Sequence, residues 1–359
     1  MPETYFITGA TGFIGERLAL KLTERGACVR CLVRPTSRRD GLKALGVEFV
    51  EGDLENAEAL AQGARGATAV FHLAGLTREA RRGDFLRVNR DGAERVAKAC
   101  LAAAESGTTP ILAFVSSLAC AGPAPKGGEG DELYGGNRLL AETDAPRPVS
   151  PYGKSKRLAE EVLQGYADRL PITTIRPPYV FGEGDHESTL LFRMAKRLGC
   201  FVEPGWRDRY FSFVYADDLA DVLIAAVEKG ERMTRASVAP LEDDPTRCSG
   251  RGVYFAAAPK PILFSEFGRM IGRAFGRAKT AIFKVPPMGV AGAGAYGECV
   301  KKAFGARPSF DWNKAIEALR GPWICSGAKA TAGLGVAIEE DLSGKIERAA
   351  RWYEETGRV

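Results

Sequence analysis

Histidine is scarce in this chain, and no cluster of metal ligands compensates for it. Only His72 and His186 carry an imidazole, and neither stands near acidic or sulfur residues at a ligand spacing. That excludes metal-assisted hydrolysis as a first reading and predicts no metal site. The eight cysteines are scattered. Cys28 and Cys31 fall three apart in an apolar run that reads as a strand, where such positions point to opposite faces. Reduced thiols and a cytoplasmic setting are the expectation. No run reaches the ~20 uncharged apolar residues that span a bilayer. Segment 285–300, VPPMGVAGAGAYGECV, is small-residue-rich and poor in charge; it suits a buried or interface helix, an apolar pocket wall or peripheral contact with a membrane surface. Lysine and arginine form no block, and a net charge of +5 is modest, so nucleic acid is not an expected partner. Ser116 and Ser117 lack the flanking glycines of a hydrolase nucleophile elbow.

What is present is a rhythm of short apolar runs and helical spacings. Strands are predicted over 4–8, 28–33, 47–50, 67–72, 111–115 and 172–175, with helices over 13–25 and 85–104 between them. Strands separated by helices require crossovers, hence an α/β fold with a doubly wound, mostly parallel sheet of the Rossmann type. After Pro177-Pro178 the chain is expected to build a smaller, discontinuous substrate-binding domain. The reading divides it into a dinucleotide-binding core (1–178), substrate-domain segments (179–211 and 261–335), a return to the core (212–260) and a C-terminal helix (336–359). Helices are expected over 189–199, 217–228, 264–275 and 342–355, and strands over 211–214 and 254–257. Glycine, proline and charge crowd into 121–151, which reads as a lid or a surface insertion.

Gly9, Gly12 and Gly15 lie between the first strand and a helix opened by Phe13 and Ile14. Gly9 suits a tight turn, Gly12 lets backbone amides approach a pyrophosphate, and Gly15 lets the helix close on the sheet. The second strand ends in Leu32-Val33-Arg34, with Arg38 and Arg39 following, where an NAD site usually carries an acid. Arg34 can pair with a 2′-phosphate, so the cofactor is NADP or NAD with NADP favoured. Asp53, with Leu54 beside it, is placed to accept the adenine amino group. Ala74 and Gly75 offer a small-residue surface beyond the fourth strand, and His72 reads as packed rather than catalytic.

Tyr152 and Lys156 stand one helical turn apart, on one face. An ammonium near a phenol favours its ionised form, so the pair can take or give a proton at a carbinol or carbonyl oxygen. Ser117, with Ser116 second, closes the fifth strand, where it can hold the same oxygen. The catalytic candidates are therefore Ser117, Tyr152 and Lys156; Ser116, Tyr152 and Lys156 also stand as cofactor contacts.

The motifs GATGFIG (9–15), VRPTS (33–37), GDL (52–54), FHLAG (71–75), VSSLA (115–119), SPYGKSK (150–156), RPPYVFG (176–182), YADDLADVL (215–223) and WICSGAKATAGLG (323–335) run in order along the chain. In them the chain resembles an extended short-chain dehydrogenase/reductase of the NAD-dependent epimerase/dehydratase superfamily, most like its 3β-hydroxysteroid dehydrogenase branch. The resemblance implies Ser117, Tyr152 and Lys156 as catalytic residues and Pro177 through Val180 as nicotinamide contacts. It also implies a bridging role for Asn89, a diphosphate position at Arg209 and structural roles for Asp217 and Asp218. The expected substrate is a bulky apolar hydroxy or keto compound: a 3β-hydroxysteroid, a sterol-4-carboxylate with decarboxylation, or a long-chain β-keto acid. The alternatives are a sugar-nucleotide epimerase or dehydratase, against whose dehydratase form Leu118 and Ala119 speak, and a non-enzymatic dinucleotide sensor. A homodimer is a further expectation.

Overall fold

The computed structural model of the chain describes residues 2–105, 107, 109–304, 308 and 310–359. Six strands form along the first half: β1 (Thr4–Thr8), β2 (Cys28–Val33), β3 (Glu48–Glu51), β4 (Ala69–His72), β5 (Ile111–Val115) and β6 (Ile172–Arg176). Later strands are β7 (Tyr179–Phe181), β8 (Cys200–Pro204), β9 (Tyr210–Phe211), β10 (Phe213–Tyr215), β11 (Val253–Phe255), β12 (Ile262–Leu263) and β13 (Ala281–Val285). The central sheet has seven strands in the order β11-β6-β5-β4-β1-β2-β3, every pair parallel. β4 and β6 are buried throughout, as expected for parallel strands covered on both faces.

Alternation along β1 divides the core between the two faces. Tyr5 and Ile7 pack with Leu18, Phe71 and Leu219 on one side, whereas Phe6 packs with Val70, Phe114 and Leu163 on the other. Each such buried side chain contributes about 1.5–3 kcal/mol of transfer free energy. The chain winds outward from β1 to β2 and β3, then returns to β4 on the opposite side of β1. That reversal opens a crevice at the carboxyl ends of β1 and β4, immediately before Gly9 and Leu73.

Charge pairs fix the helices on one face. Arg17, in the Phe13–Glu24 helix, grips Asp217 with two bonds of 2.6 and 2.7 Å, and Lys345, in the Ser343–Glu355 helix, holds Asp218 at 2.6 Å. The two aspartates thus tie the Ala216–Glu228 helix to two neighbours. The last helix also reaches the Thr189–Arg193 helix, where Tyr353 packs against Phe192 with ring centroids 4.4 Å apart.

The second region is built from β8 with β13, β9 with β12 and several helices. Segment 285–300 supplies most of the Pro287–Phe304 helix. Its Gly294 and Gly297 lie against Ala315 and the Phe310 carbonyl, so this helix packs closely on the Trp312–Arg320 helix. Among the described residues no helix is long and apolar enough to cross a membrane. Segment 121–151 is no free flap: Leu140 bridges to Cys325, Asp144 bridges to Arg247, and Ala124 and Leu140 join a core with Trp323 and Ile324.

Candidate active site

The glycine turn is shaped by necessity. Gly9 has φ +79°, and a Cβ there would lie 2.6 Å from the Ala74 amide nitrogen. A Cβ on Gly15 would run into the Gly9 carbonyl. Only glycines let the turn, the helix start and the end of β4 converge. Gly12 accepts the Glu16 amide at 3.0 Å as the helix begins, leaving the oriented dipole of the Phe13–Glu24 helix facing the crevice. The Ala74 amide donates to Thr8 Oγ1 at 3.4 Å. Phe13 reaches from the turn to Gly184 beyond β7, whereas Ile14 packs against the core. This cradle fits a dinucleotide pyrophosphate.

At the outer end, Arg34 and Asp53 are exposed, and they line one shallow hollow with Pro35, Thr36, Gly52 and Asn56. Asp53 caps its own turn by accepting the Glu55 amide at 2.8 Å, while Leu54 packs against Gly92. A neighbouring hollow is lined by Ser37, Arg38, Arg39 and Lys43 together with Asp40 and Glu51. Arg39 is engaged by Glu51 at 2.7 Å; among the described residues no ion pair holds Arg34.

The Pro151–Gln164 helix starts where its sequence dictates. Ser150 caps it by accepting the Gly153 amide at 3.0 Å, and Pro151 occupies the first turn. Tyr152 therefore sits at the helix mouth with Lys156 one turn deeper. Tyr152 is 8% exposed, and Phe85, Leu76 and Ala119 surround it. Burial pushes its phenol up to about 12; Lys314 and the nearby Ser117 hydroxyl pull it down, while Glu317 and Glu187 raise it. Ser117 caps the Leu118–Ala121 helix by accepting the Ala119 amide at 3.1 Å. The Pro177 carbonyl accepts the Leu118 amide at 2.8 Å, which holds the start of β7, with Val180, beside Ser117.

Lys156 lies one turn deeper and is buried. Its ammonium donates to the Val115 carbonyl at 2.9 Å and lies 4.9 Å from the Phe114 ring centroid. Burial lowers its pKa to about 8 against the raising effect of Glu160. It borders Gly75, where a Cβ would come 3.2 Å from Nζ. Lys314 Nζ lies 5.9 Å from the Tyr152 ring centroid, and its charge lowers the phenol pKa. Ser116 is buried at 3% exposure, and its Oγ finds no hydrogen-bond partner among the described residues.

Asn89 bridges segments as expected. Its Oδ1 accepts the Leu76 amide at 2.7 Å, and its Nδ2 donates to Ser155 Oγ at 2.9 Å. His72 bonds Thr8 Oγ1 at 2.7 Å and stacks on Phe114. Burial, then the Lys156 charge, lowers its pKa to about 3, so it is neutral and packed. Arg209 is spent on structure: its guanidinium donates to the carbonyls of Ala318, Leu319 and Gly321 at the end of the Trp312–Arg320 helix. Sequence reasoning missed Asn313, Lys314 and Glu317, which no motif marks.

Comparison with known proteins agrees with this geometry. The NAD dependent epimerase/dehydratase family matches residues 5–238. The chain is 30% identical to a ceramide reductase of Caulobacter vibrioides over 351 residues, 98% of this chain and 94% of that protein. It is 31% identical to mouse (Mus musculus) 3 beta-hydroxysteroid dehydrogenase type 7 over 214 residues, 54% of this chain and 55% of that protein. The crystal structure of gox2253 superposes with a TM-score of 0.72 at 23% identity, covering 99% of each chain, a likeness of fold. With its parallel sheet, glycine cradle and matched length, the chain belongs to the NAD dependent epimerase/dehydratase family and is an NAD(P)-dependent short-chain dehydrogenase/reductase acting on a CH–OH group.

Proposed function

We propose that the protein interconverts a secondary alcohol and a ketone on a bulky apolar substrate, with a long-chain lipid of the ceramide class placed first and steroid or sterol-4-carboxylate types behind it. The observation that carries this reading is the apolar collar of Phe85, Leu76 and Ala119 around the Tyr152 phenol, with the Ser117 hydroxyl near enough to lower its pKa. The full-length likeness to a ceramide reductase supports the lipid class. The commitment of Arg209 to three backbone carbonyls argues against a sugar-nucleotide diphosphate at that position.

In this reading Gly9, Gly12, Gly15 and the following helix start hold the dinucleotide, which supplies or receives the hydride. Ser117 and Tyr152 hold the substrate oxygen. Tyr152 Oη gives its proton to that oxygen in reduction and takes it back in oxidation. Asn89 and the Val115 carbonyl fix the positions of Ser155 and Lys156 on the same helix. Assays of an oxidised ceramide and a 3-oxosteroid with reduced dinucleotide, and of UDP-glucose with oxidised dinucleotide, test the proposal. Turnover of the first two supports it; conversion of UDP-glucose alone rejects it.

The phenol pKa sets a pH dependence. Raised to about 12 by burial, Tyr152 is protonated across the neutral range. Reduction, which needs the phenol, is expected to hold level from pH ~6 to ~9, and oxidation, which needs the phenolate, to rise with pH. Initial rates in both directions check this, and a level oxidation profile contradicts it.

We further propose that NADP is preferred over NAD, because Arg34 stands where an acid would otherwise hold the ribose. Arg34→Ala is expected to weaken NADP binding by about tenfold or more, the value of a charge-assisted bond, with NAD changed by less than about twofold. Equilibrium titration of both dinucleotides measures this; equal losses would contradict it.

A further inference from the structure

The Trp312–Arg320 helix lies across the mouth of the helix that carries Tyr152. Asp311 caps it by accepting the Lys314 amide at 3.0 Å, and Arg209 binds the carbonyls at its far end. Its residues 313, 314 and 317 share a face at helical spacing. Asn313 Oδ1 accepts the Tyr152 amide at 3.0 Å, satisfying an N–H left free at a helix start. Glu317 Oε1 accepts the hydroxyl of Ser150, the cap of the same helix, at 2.7 Å. Glu317 Oε2 lies 3.3 Å from Lys314 Nζ, which is within cation–π range of the Tyr152 ring at 5.9 Å.

We propose that Lys314 is a positioning residue of this active site: held by Glu317 above the Tyr152 ring, its ammonium adds positive charge that stabilises the ionised phenol. The inference rests on the reading of Tyr152 as the proton-transfer residue. The groups facing the phenol come from four segments. Lys314 and Glu317 come from this helix, Glu187 from the segment after β7, Ser117 from the end of β5, and the apolar Phe85 closes another side. Glu187 is itself held by Arg78 at 2.9 Å and Thr77 at 3.0 Å, so its charge is already engaged. Lys314 lies between Glu187 and Glu317, and the two carboxylates together with Tyr152 outweigh its burial and keep it charged.

The test needs no substrate. The full chain is prepared with fluorotyrosine, whose lower pKa brings phenol ionisation into reach, and the residue 152 fluorine resonance is assigned by its loss in Tyr152→Phe. Its titration midpoint is expected to rise by about one pH unit or more in Lys314→Met, and to return in Lys314→Arg. A resonance that never titrates in the folded Lys314→Met protein counts as the same rise. Lys314→Gln replaces the Met variant should that one fail to fold. An unchanged midpoint in the folded variant, or a rise that Arg does not reverse, overturns the proposal. The two readings fail separately. If Tyr152→Phe keeps its turnover, the proton-transfer role falls. If turnover is lost but the Lys314 titration overlays that of the unsubstituted chain, only Lys314 falls.

Discussion

Tyr152→Phe is expected to lower turnover by about 10²- to 10⁴-fold, the usual worth of a positioned proton donor, while dinucleotide affinity stays within about twofold. The substitution removes one oxygen and little else. The ring still packs on Phe85, whose centroid is 5.9 Å away, and the backbone amide still bonds Asn313. The glycine cradle belongs to another strand end. Steady-state rates with parallel dinucleotide titration separate the two effects. Loss of both together would mean that the helix, rather than the proton, had been disturbed.

The second large effect is on stability. Glu160 and Arg176 form an ion pair with both side chains at 0% exposure, joined by bonds of 2.9 and 2.6 Å. It pins the catalytic helix to β6, one turn beyond Lys156. Glu160→Leu strands a buried guanidinium, and the expected cost is about 3–5 kcal/mol, read as a lower denaturant midpoint at unchanged m-value. Replacing both partners, as Glu160→Leu with Arg176→Met, is expected to recover much of that loss, because no unpaired charge remains. The pair also predicts acid sensitivity. Burial pushes the Glu160 pKa up, but the Arg176 charge and its two bonds prevail and hold it below the ordinary 4.5. The unfolded chain therefore binds the proton first. The pair's contribution is complete above pH ~4.5 and is lost as pH falls through the lowered value. A double variant no more stable than the single one would contradict the account.

Much of the core was legible because its signals are local. The six expected strands fall within a residue or two of β1 to β6, since parallel strands are written as short apolar runs between helical spacings. The glycine turn and the Ser150-Pro151 start of the catalytic helix were readable for the same reason. The last expected strand, 254–257, appears as β11 at the edge of the central sheet, a pairing with β6 that no local pattern specifies. Contacts distant in sequence were not readable. Lys314 meets a ring more than 160 positions away, in a segment whose charges look like any solvated helix face. The bond from the Lys156 ammonium to the Val115 carbonyl was likewise unreadable, because it joins residues 41 positions apart. Arg209 matched a diphosphate position by order along the chain, and only the packed helix end shows where its donors go.

The most direct measurement of the central claim follows a single deuterium. Reduced dinucleotide carrying deuterium at the transferable position is incubated with the protein and an oxidised ceramide, and the product is weighed and its label located. The account predicts one deuterium on the carbon that becomes the carbinol, with its incorporation slowed by about 10²- to 10⁴-fold when Tyr152 is replaced by Phe. A product lacking the label, or label incorporated equally well without the phenol, would contradict it.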